Sequence, residues 1–413
     1  MRLAHAVTDM KTPAGGKPLP FLSLDHVDPG MGRLLPGAEP EERLPTVAGM
    51  LEAMPQDVLF GKLRPYLAKT VRVEEPSLVS GEFIVMRPTA DTDSRWLAYL
   101  TLSTPLVNWA VATSEGVKMP RTTWERVREF RFPARPLQEQ RAIADFLDAE
   151  TLRIDALIGK RRLALVKFDA RRQATYFAGV AGLLTAPDQP RVATTLPWLP
   201  ATPESWSTAL LKLLATLGSG HTPSRSHPEW WVAGDCVIPW ITTGEVAQIR
   251  SDRVEEITGT RERISAAGLA NSAAELHPAG TVVLSRTASV GFSAIMGTAM
   301  ATSQDFATWT CGPLLRPRFL LLCLRAMRGD LLGRLAIGST HKTIYMPDIE
   351  SIRVPVPLIA EQDRIVDAVH EQLAGIDHSA DMIGRQIRLL RERRQALITA
   401  AVTGEIDVSR GAA

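Results

Sequence analysis

The chain has 413 residues, 45% hydrophobic and 22% charged, which is an ordinary globular balance with room for two or three cores. Its formal net charge of +2 and pI near 8.5 exclude a polycationic tail but leave a local basic face open. Three cysteines, Cys236, Cys311 and Cys323, form no Cys-x-x-Cys pair, which excludes a disulfide frame or zinc knuckle and points to a reducing, cytoplasmic setting.

Residues 1–132 open without a charged stretch followed by an apolar core, so no signal peptide is expected. Short β-like runs such as 80–86 are punctuated by Gly, Pro and Thr, the pattern of an α+β domain. The period then changes. Leu147, Ile154, Arg161, Phe168 and Thr175 recur every seven residues, with Leu157, Ile158 and Leu165 widening the seam, which predicts a long helix over 133–184. Pro187, Pro190, Pro197, Pro200 and Pro203 give 185–203 the composition of a linker. A second α+β domain is expected over 204–354, with strands near 237–242 and 281–284 and a helical run at 314–335. Its longest apolar run, 319–324, is far shorter than the ~20 residues of a membrane span. A second long helix is predicted over 355–404, where Val369, Ile376, Ile383, Leu390 and Leu397 hold a heptad, flanked by Val366, Leu373, Ala380 and Ile387. Residues 405–413 are a tail. Pro136 and Pro357 mark the helix starts, and Gly182 and Gly404 suit the C′ position. Each helix of about 45 residues would be roughly 65 Å long, and Gly159, Gly375 and Gly384 inside would cost about 1 kcal/mol each.

The two helical segments are one segment written twice. Residues 133–182 align without a gap on 355–404 at an offset of 222 (361 minus 139), and 14 of 50 positions are identical. Glu139-Gln140 becomes Glu361-Gln362, Ile154-Asp155 becomes Ile376-Asp377, and Arg171-Arg172-Gln173-Ala174 becomes Arg393-Arg394-Gln395-Ala396. The globular parts echo each other more weakly and with gaps: 57–62 with 280–286, 80–83 with 303–306, and 114–120 with 338–347.

No catalytic, metal or cofactor site can be assembled from the residues. The glycine-rich 217–223 lacks the lysine of a phosphate-cradling loop. His221 and His227 lack a third ligand. Asn108 and Asn271 lie outside any adenine-methyltransferase loop, and Pro347-Asp348 is followed by no Glu-x-Lys. Binding chemistry is better represented. Lys62, Arg64, Lys118 and Arg121 lie in Gly/Pro/Ser-rich loops of the first head, Arg286, His341 and Lys342 at matching places in the second, and Thr222, Ser224 and Arg225 in a further loop. Any one of these alone reads as a solvated surface group. Their recurrence suits phosphate positioning combined with base-edge readout. Arg161, Arg162, Arg171, Arg172, Arg391, Arg393 and Arg394 read as a solvated or partner-facing flank of the helices.

The order of these features resembles the specificity subunit of type I restriction–modification systems. The resemblance rests on the two copies of Pro-x(5)-Glu-Gln before a long helix (Pro133 with Glu139-Gln140, Pro355 with Glu361-Gln362), the run from Leu199 to Trp206, the 218–223 loop, 303–306 and 338–347. It covers nearly the whole chain. The first head lacks a counterpart of 199–206 and of 218–223, which reads as a truncated or diverged N-terminus. The resemblance implies two target-recognition domains, each followed by a long helix, with the helices paired as an antiparallel coiled coil about a pseudo-two-fold axis. It implies a bipartite, asymmetric double-stranded DNA site whose unread spacer is set by the helices. Two methyltransferase subunits and helicase–nuclease restriction subunits would join as partners. S-adenosylmethionine, ATP and Mg would bind those partners, with the target base flipped out for methylation there, and this chain would hold no cofactor or metal. Two other readings stay open: a coiled-coil scaffold whose heads bind proteins, and an enzyme with an unrecognised site.

Overall fold

The computed structural model describes residues 1–9, 18–38, 40–43, 50–338 and 342–408. It divides into two compact units, Met1–Leu163 with Ile383–Ala413, and Ala164–Met382. Each contains one head and part of each long helix.

The first head comprises β1 (Val7–Asp9), β2 (Leu19–Leu22), β3 (Glu42–Arg43), β4 (Leu51–Ala53), β5 (Val58–Gly61), β6 (Thr70–Arg72), β7 (Ser77–Val79) and β8 (Phe83–Pro88), then α1 (Ser94–Leu102), α2 (Thr104–Ala112) and α3 (Trp124–Val127). The strands form two sheets, ordered β1-β8-β5-β6 and β3-β2-β7-β4. Side chains alternate across the first sheet. Phe60, Ile84 and Met86 pack on Trp96, Leu97 and Leu100 of α1, while Leu59, Val71, Phe83 and Val85 meet Leu22 and Val79 of the other sheet. Both faces are covered, which is why Phe83-Ile84-Val85-Met86 is continuously apolar rather than alternating. The long helix α4 (Leu137–Val180) follows.

In the second unit the proline-rich stretch is partly ordered. Its β9 (Arg191–Leu196) and β10 (Leu199–Pro203) form an antiparallel hairpin seated on Ala181 through Leu196 and Leu199, where a linker was expected. The second head then runs β11 (Ser207–Leu210), β12 (Ala215–Ser219), β13 (Ile238–Ile241), β14 (Glu256–Ile257), β15 (Glu262–Ile264), β16 (Val282–Ser285), β17 (Ser293–Met296), β18 (Ala301–Thr302), β19 (Phe306–Cys311) and β20 (Arg353–Val356). Its helices are α5 (Val246–Ile249), α6 (Ala266–Ala270), α7 (Pro317–Ala326), α8 (Arg328–Asp330) and α9 (Met346–Glu350), and α10 (Ile359–Thr403) is the second long helix. The main sheet, β12-β19-β16-β17-β14, repeats the first head's order with one strand added, and the parallel pairing of β13 with β18 repeats that of β2 with β7. The heads share one topology, so β1 is the counterpart of β12. Any counterpart of the 218–223 loop in the first head would follow β1, outside the described residues.

The repeated segments form the stalk. In the first unit Ile143, Ala144 and Leu147 of α4 share a core with Ile398, Ala401 and Val402 of α10. In the second unit Ile365, Val366 and Val369 of α10 share one with Tyr176 and Val180 of α4. The offset of 222 carries one set onto the other. Each fully buried aliphatic side chain contributes roughly 1.5–3 kcal/mol. Both helices end in the same way, with Gly182 at φ +74 and Gly404 at φ +83. The following N–H groups reach back to Ala178 O at 2.8 Å and Ala400 O at 2.9 Å, a Schellman-type close.

An ion pair fixes the helix register. Arg394 donates to Asp155 at 3.0 Å in the first unit, and Arg172 donates to Asp377 in the second. The repeat maps Asp155 on Asp377 and Arg172 on Arg394, so the two pairs are one interaction used twice with the helices exchanged. From Asp155 to Arg172 along α4 the partner moves back along α10 from Arg394 to Asp377, which only antiparallel helices allow. A head arginine joins each pair, Arg33 to Asp155 at 3.4 Å and Arg253 to Asp377 at 3.1 Å. Arg172 and Arg394 are therefore buried structural groups, whereas the sequence placed them on a solvated or partner-facing flank. Arg161 and Leu157, expected in or beside the seam, are exposed.

The Glu-Gln motif has an equally specific task. The Gln140 Oε1 accepts from Asp93 N–H at 2.9 Å, and its Nε2 donates to Asp91 O and Arg135 O, both at 2.9 Å. Gln362 does the same with Arg316 N–H at 2.8 Å and with Leu314 O and Pro357 O at 2.9 Å. Both glutamines are fully buried. Each locks the start of its stalk helix to the start of its head's main helix, α1 or α7, by saturating a buried amide.

Two stability outcomes are expected. Gly375 and Gly384 have open space where a Cβ would stand, whereas a Cβ on Gly179 would lie 2.4 Å from the Val369 side chain. Chemical denaturation should show Gly375→Ala and Gly384→Ala stabilising by about 0.5–1 kcal/mol each, and Gly179→Ala destabilising. Arg394→Met leaves Asp155 buried with only the partly exposed Arg33 and should cost about 3–5 kcal/mol. Arg391→Met and Arg393→Met, on exposed positions of the same helix, should stay within about 0.5 kcal/mol.

Candidate nucleic-acid interface

The candidate binding residues lie on loops that the two heads build with the same backbone hydrogen bonds. In the first head β5 ends at Gly61, Lys62 N–H donates to Glu82 O at 2.8 Å, and Lys62 O accepts from Thr122 N–H at 2.9 Å. Arg64 N–H donates to Pro120 O at 2.7 Å. Glu115 and Arg121 exchange N–H···O bonds of 2.9 and 2.8 Å, closing 115–121 into a finger with Gly116 at φ +91. In the second head Arg286 N–H donates to Asp305 O at 2.8 Å, Arg286 O accepts from Ile344 N–H at 2.8 Å, and Ala288 N–H donates to Lys342 O at 3.0 Å. Ile337 and Thr343 exchange bonds of 3.0 and 2.9 Å, with Gly338 at φ +116.

Even the uncommon backbone recurs. Arg64 at φ +50 and Ala288 at φ +59 occupy the left-handed region, which costs a non-glycine residue about 1 kcal/mol or more. That two unlike side chains are held there shows that the surrounding bonds, and not the residue, dictate the turn.

This wiring corrects the pairing read from sequence. Lys62 and Arg286 are equivalent, as expected, but Lys342 matches Pro120 and Thr343 matches Arg121. His341 lies outside the described residues. Lys62 Nζ donates to Gly81 O at 2.7 Å, and Arg286 Nη1 donates to Ile344 O at 3.3 Å. Both cations brace their own loops. Arg121 pairs with Glu82 at 2.8 Å. Arg64 and Lys118 are exposed, and neither side chain has a hydrogen bond or ion pair among the described residues. Lys342 is exposed, with Nζ 3.4 Å from Leu332 O.

The third set of candidates joins the same platform only in part. Gly220 runs so close to Thr302 that a Cβ would stand 1.9 Å from its carbonyl oxygen. Glycine there is a packing requirement, which explains the glycine-rich loop without a phosphate. Thr222 Oγ1 donates to Gln304 Oε1 at 2.8 Å, beside the Asp305 carbonyl that Arg286 N–H bonds. Ser224 bonds Ser226, and Arg225 is held by Glu262 at 3.1 Å and lies 3.6 Å over the Trp231 ring. Arg225 is thus braced on the outer sheet of the head.

Buried charge is concentrated elsewhere. Arg325, wholly buried, lies within 3.3 Å of Glu255 and of the Tyr176 hydroxyl, and Arg328 holds Asp252 through two bonds of 2.6 Å. His370 Nε2 is 3.0 Å from Glu255 Oε1. Burial pushes the Glu255 carboxyl up, but the His370 bond and the Arg325 charge outweigh it and hold the pKa below the ordinary value. Burial pushes the Cys311 thiol up to about 12 and Cys323 higher still, so neither is a thiolate at neutral pH. Among the described residues no three His, Cys, Asp or Glu side chains are grouped to hold a metal ion, and no helix is long and apolar enough to cross a membrane.

Comparison with known proteins agrees with this architecture. Residues 203–378 match the family described as Type I restriction modification DNA specificity domain. A stretch of 165 residues, 40% of this chain, is 26% identical to the type I restriction enzyme MjaIX specificity subunit of Methanocaldococcus jannaschii, and the match spans 37% of that relative's length. A structure solved in work on complex assembly and conformational transition of the type I R-M system superposes with a TM-score of 0.71 at 20% identity, covering 98% of this chain and 97% of that one. The HsdS subunit from Thermoanaerobacter tengcongensis gives a TM-score of 0.47 at 19% identity, with 98% and 96% covered. Two heads of one topology, each leading into one of two paired antiparallel helices, thus accompany a match to the Type I restriction modification DNA specificity domain over the second head and the first part of its helix.

Proposed function

We propose that this chain is the non-catalytic subunit that gives a type I restriction–modification complex its DNA address. Each head reads one half of a bipartite, asymmetric duplex site, and the paired helices set the length of the unread spacer. The observation that carries this reading is the duplicated loop wiring with different side chains on it. A conserved frame bearing Lys62, Arg64, Lys118 and Arg121 in one head, and Arg286, Ala288, Lys342 and Thr343 in the other, can meet two different base sequences in the same manner. Exposed cations position the frame on phosphates, and side chains at the loop tips meet base edges. Two methyltransferase subunits and the restriction subunits dock on this chain. Methyl transfer from S-adenosylmethionine and the ATP- and Mg-dependent steps belong to them.

Replacing residues 204–354 with the matching head of a relative should change one half of the methylated motif and leave the other half as it was, read by methylome sequencing. A change in both halves, or in neither, would rule out two independent readers. Charge gives a second test. Lys118→Ala and Lys342→Ala should each weaken binding to all duplexes and reduce the slope of log K against log salt by about 1. Binding that is unchanged at every salt concentration would remove that lysine from the interface.

A further inference from the structure

Both reading loops hold large apolar side chains out in water. On the first finger Val117 is fully exposed and Met119 is 52% exposed, with Tyr66 beside Arg64 also at 52%. In the second head Ile337 is 61% and Tyr345 54% exposed, on either side of Lys342 and Thr343. Ile337 stands in the wiring where Glu115 does, at the base of its loop, so both heads expose apolar groups on or beside this loop with little sequence in common. A stray surface valine needs no explanation. A fully exposed valine between Gly116 and Lys118, on a finger closed by paired backbone bonds, does.

The surroundings select the occupant. The carboxylates of the finger's base are matched, Glu82 by Arg121 and Glu115 by Arg126. Arg64 and Lys118 are left without partners among the described residues, so the tip presents apolar surface flanked by positive charge. A duplex major groove offers the complement, with phosphates on its rims and thymine C5-methyl groups at its floor. The minor groove offers no methyl group. An acidic protein surface would satisfy the cations, but not the fully exposed Val117 side chain.

We propose that the 115–121 finger enters the major groove and that Val117 is a specificity-determining residue that identifies a thymine by its C5-methyl group. The proposal rests on the DNA-reading function argued above.

A binding selection from random duplexes with the full chain defines the preferred site. Each thymine in it is then replaced by deoxyuridine, which removes the C5-methyl and nothing else. Native protein should lose about three- to fivefold in affinity at one or more thymines of one half-site, the size expected for a single buried methyl. Val117→Ser should bind the unmodified site more weakly and be indifferent to the replacement there, while Val117→Leu should remain sensitive. Val117 makes no buried contact, so equal melting temperatures are expected for all three proteins. Native protein that is indifferent at every thymine, or sensitivity that persists in Val117→Ser, would overturn the proposal. A chain with no salt-dependent duplex binding at all would instead sink the DNA-reading function.

Discussion

Two copies of one ion pair determine how this protein is put together. Arg172 and Arg394 are buried while Asp155 and Asp377 are half-buried, and a charge so enclosed is costly to separate from its partner. Apolar seams alone specify register weakly, since a slide by one heptad exchanges one set of aliphatic contacts for another. The charged pairs remove that freedom. Each also recruits a head arginine, Arg33 or Arg253, so the same carboxylate that sets the helix register ties a head to its stalk. Gln140 and Gln362 add a second tie at the helix start, again by satisfying buried groups that have no water to turn to.

The stalk was the most legible part of the chain because two independent signals coincide there. The heptad spacing gave the helices, and the gapless duplication gave their equivalence. Composition could not tell which arginines face water. Arg172 and Arg394 sit beside Arg171 and Arg393 in the same basic run, and only the carboxylate on the opposite helix separates a buried pair from a solvated flank. Leu157 was misplaced for the opposite reason. A heptad pattern tolerates one residue of drift along a helix of 3.6 residues per turn, and Ile158 took the buried place.

The heads were harder because their equivalence is carried by backbone. Asp57-Val58-Leu59-Phe60-Gly61 and its counterpart were visible as an echo, but the loops that follow share hydrogen bonds rather than side chains. Residue similarity therefore paired Lys342 with a basic neighbour of the first finger, while the bonds pair it with Pro120. Val117 and Met119 carry no signal in the sequence, since exposure, not residue type, makes them unusual. Both the hairpin in the proline-rich stretch and the tightness around Gly220 depend on contacts with distant residues, which local composition does not carry.

Because Arg394 is the repeat image of Arg172, the partner that Asp155 finds in α10 is the same partner it would find in a second copy of α4. The same holds for Ile143 and Leu147 against Tyr176 and Val180. These stalk contacts are thus the contacts of a symmetric homodimer in which each subunit carries one head and one helix. Fusing two such subunits keeps these contacts and frees the two heads, which a true dimer must keep identical, to diverge from each other.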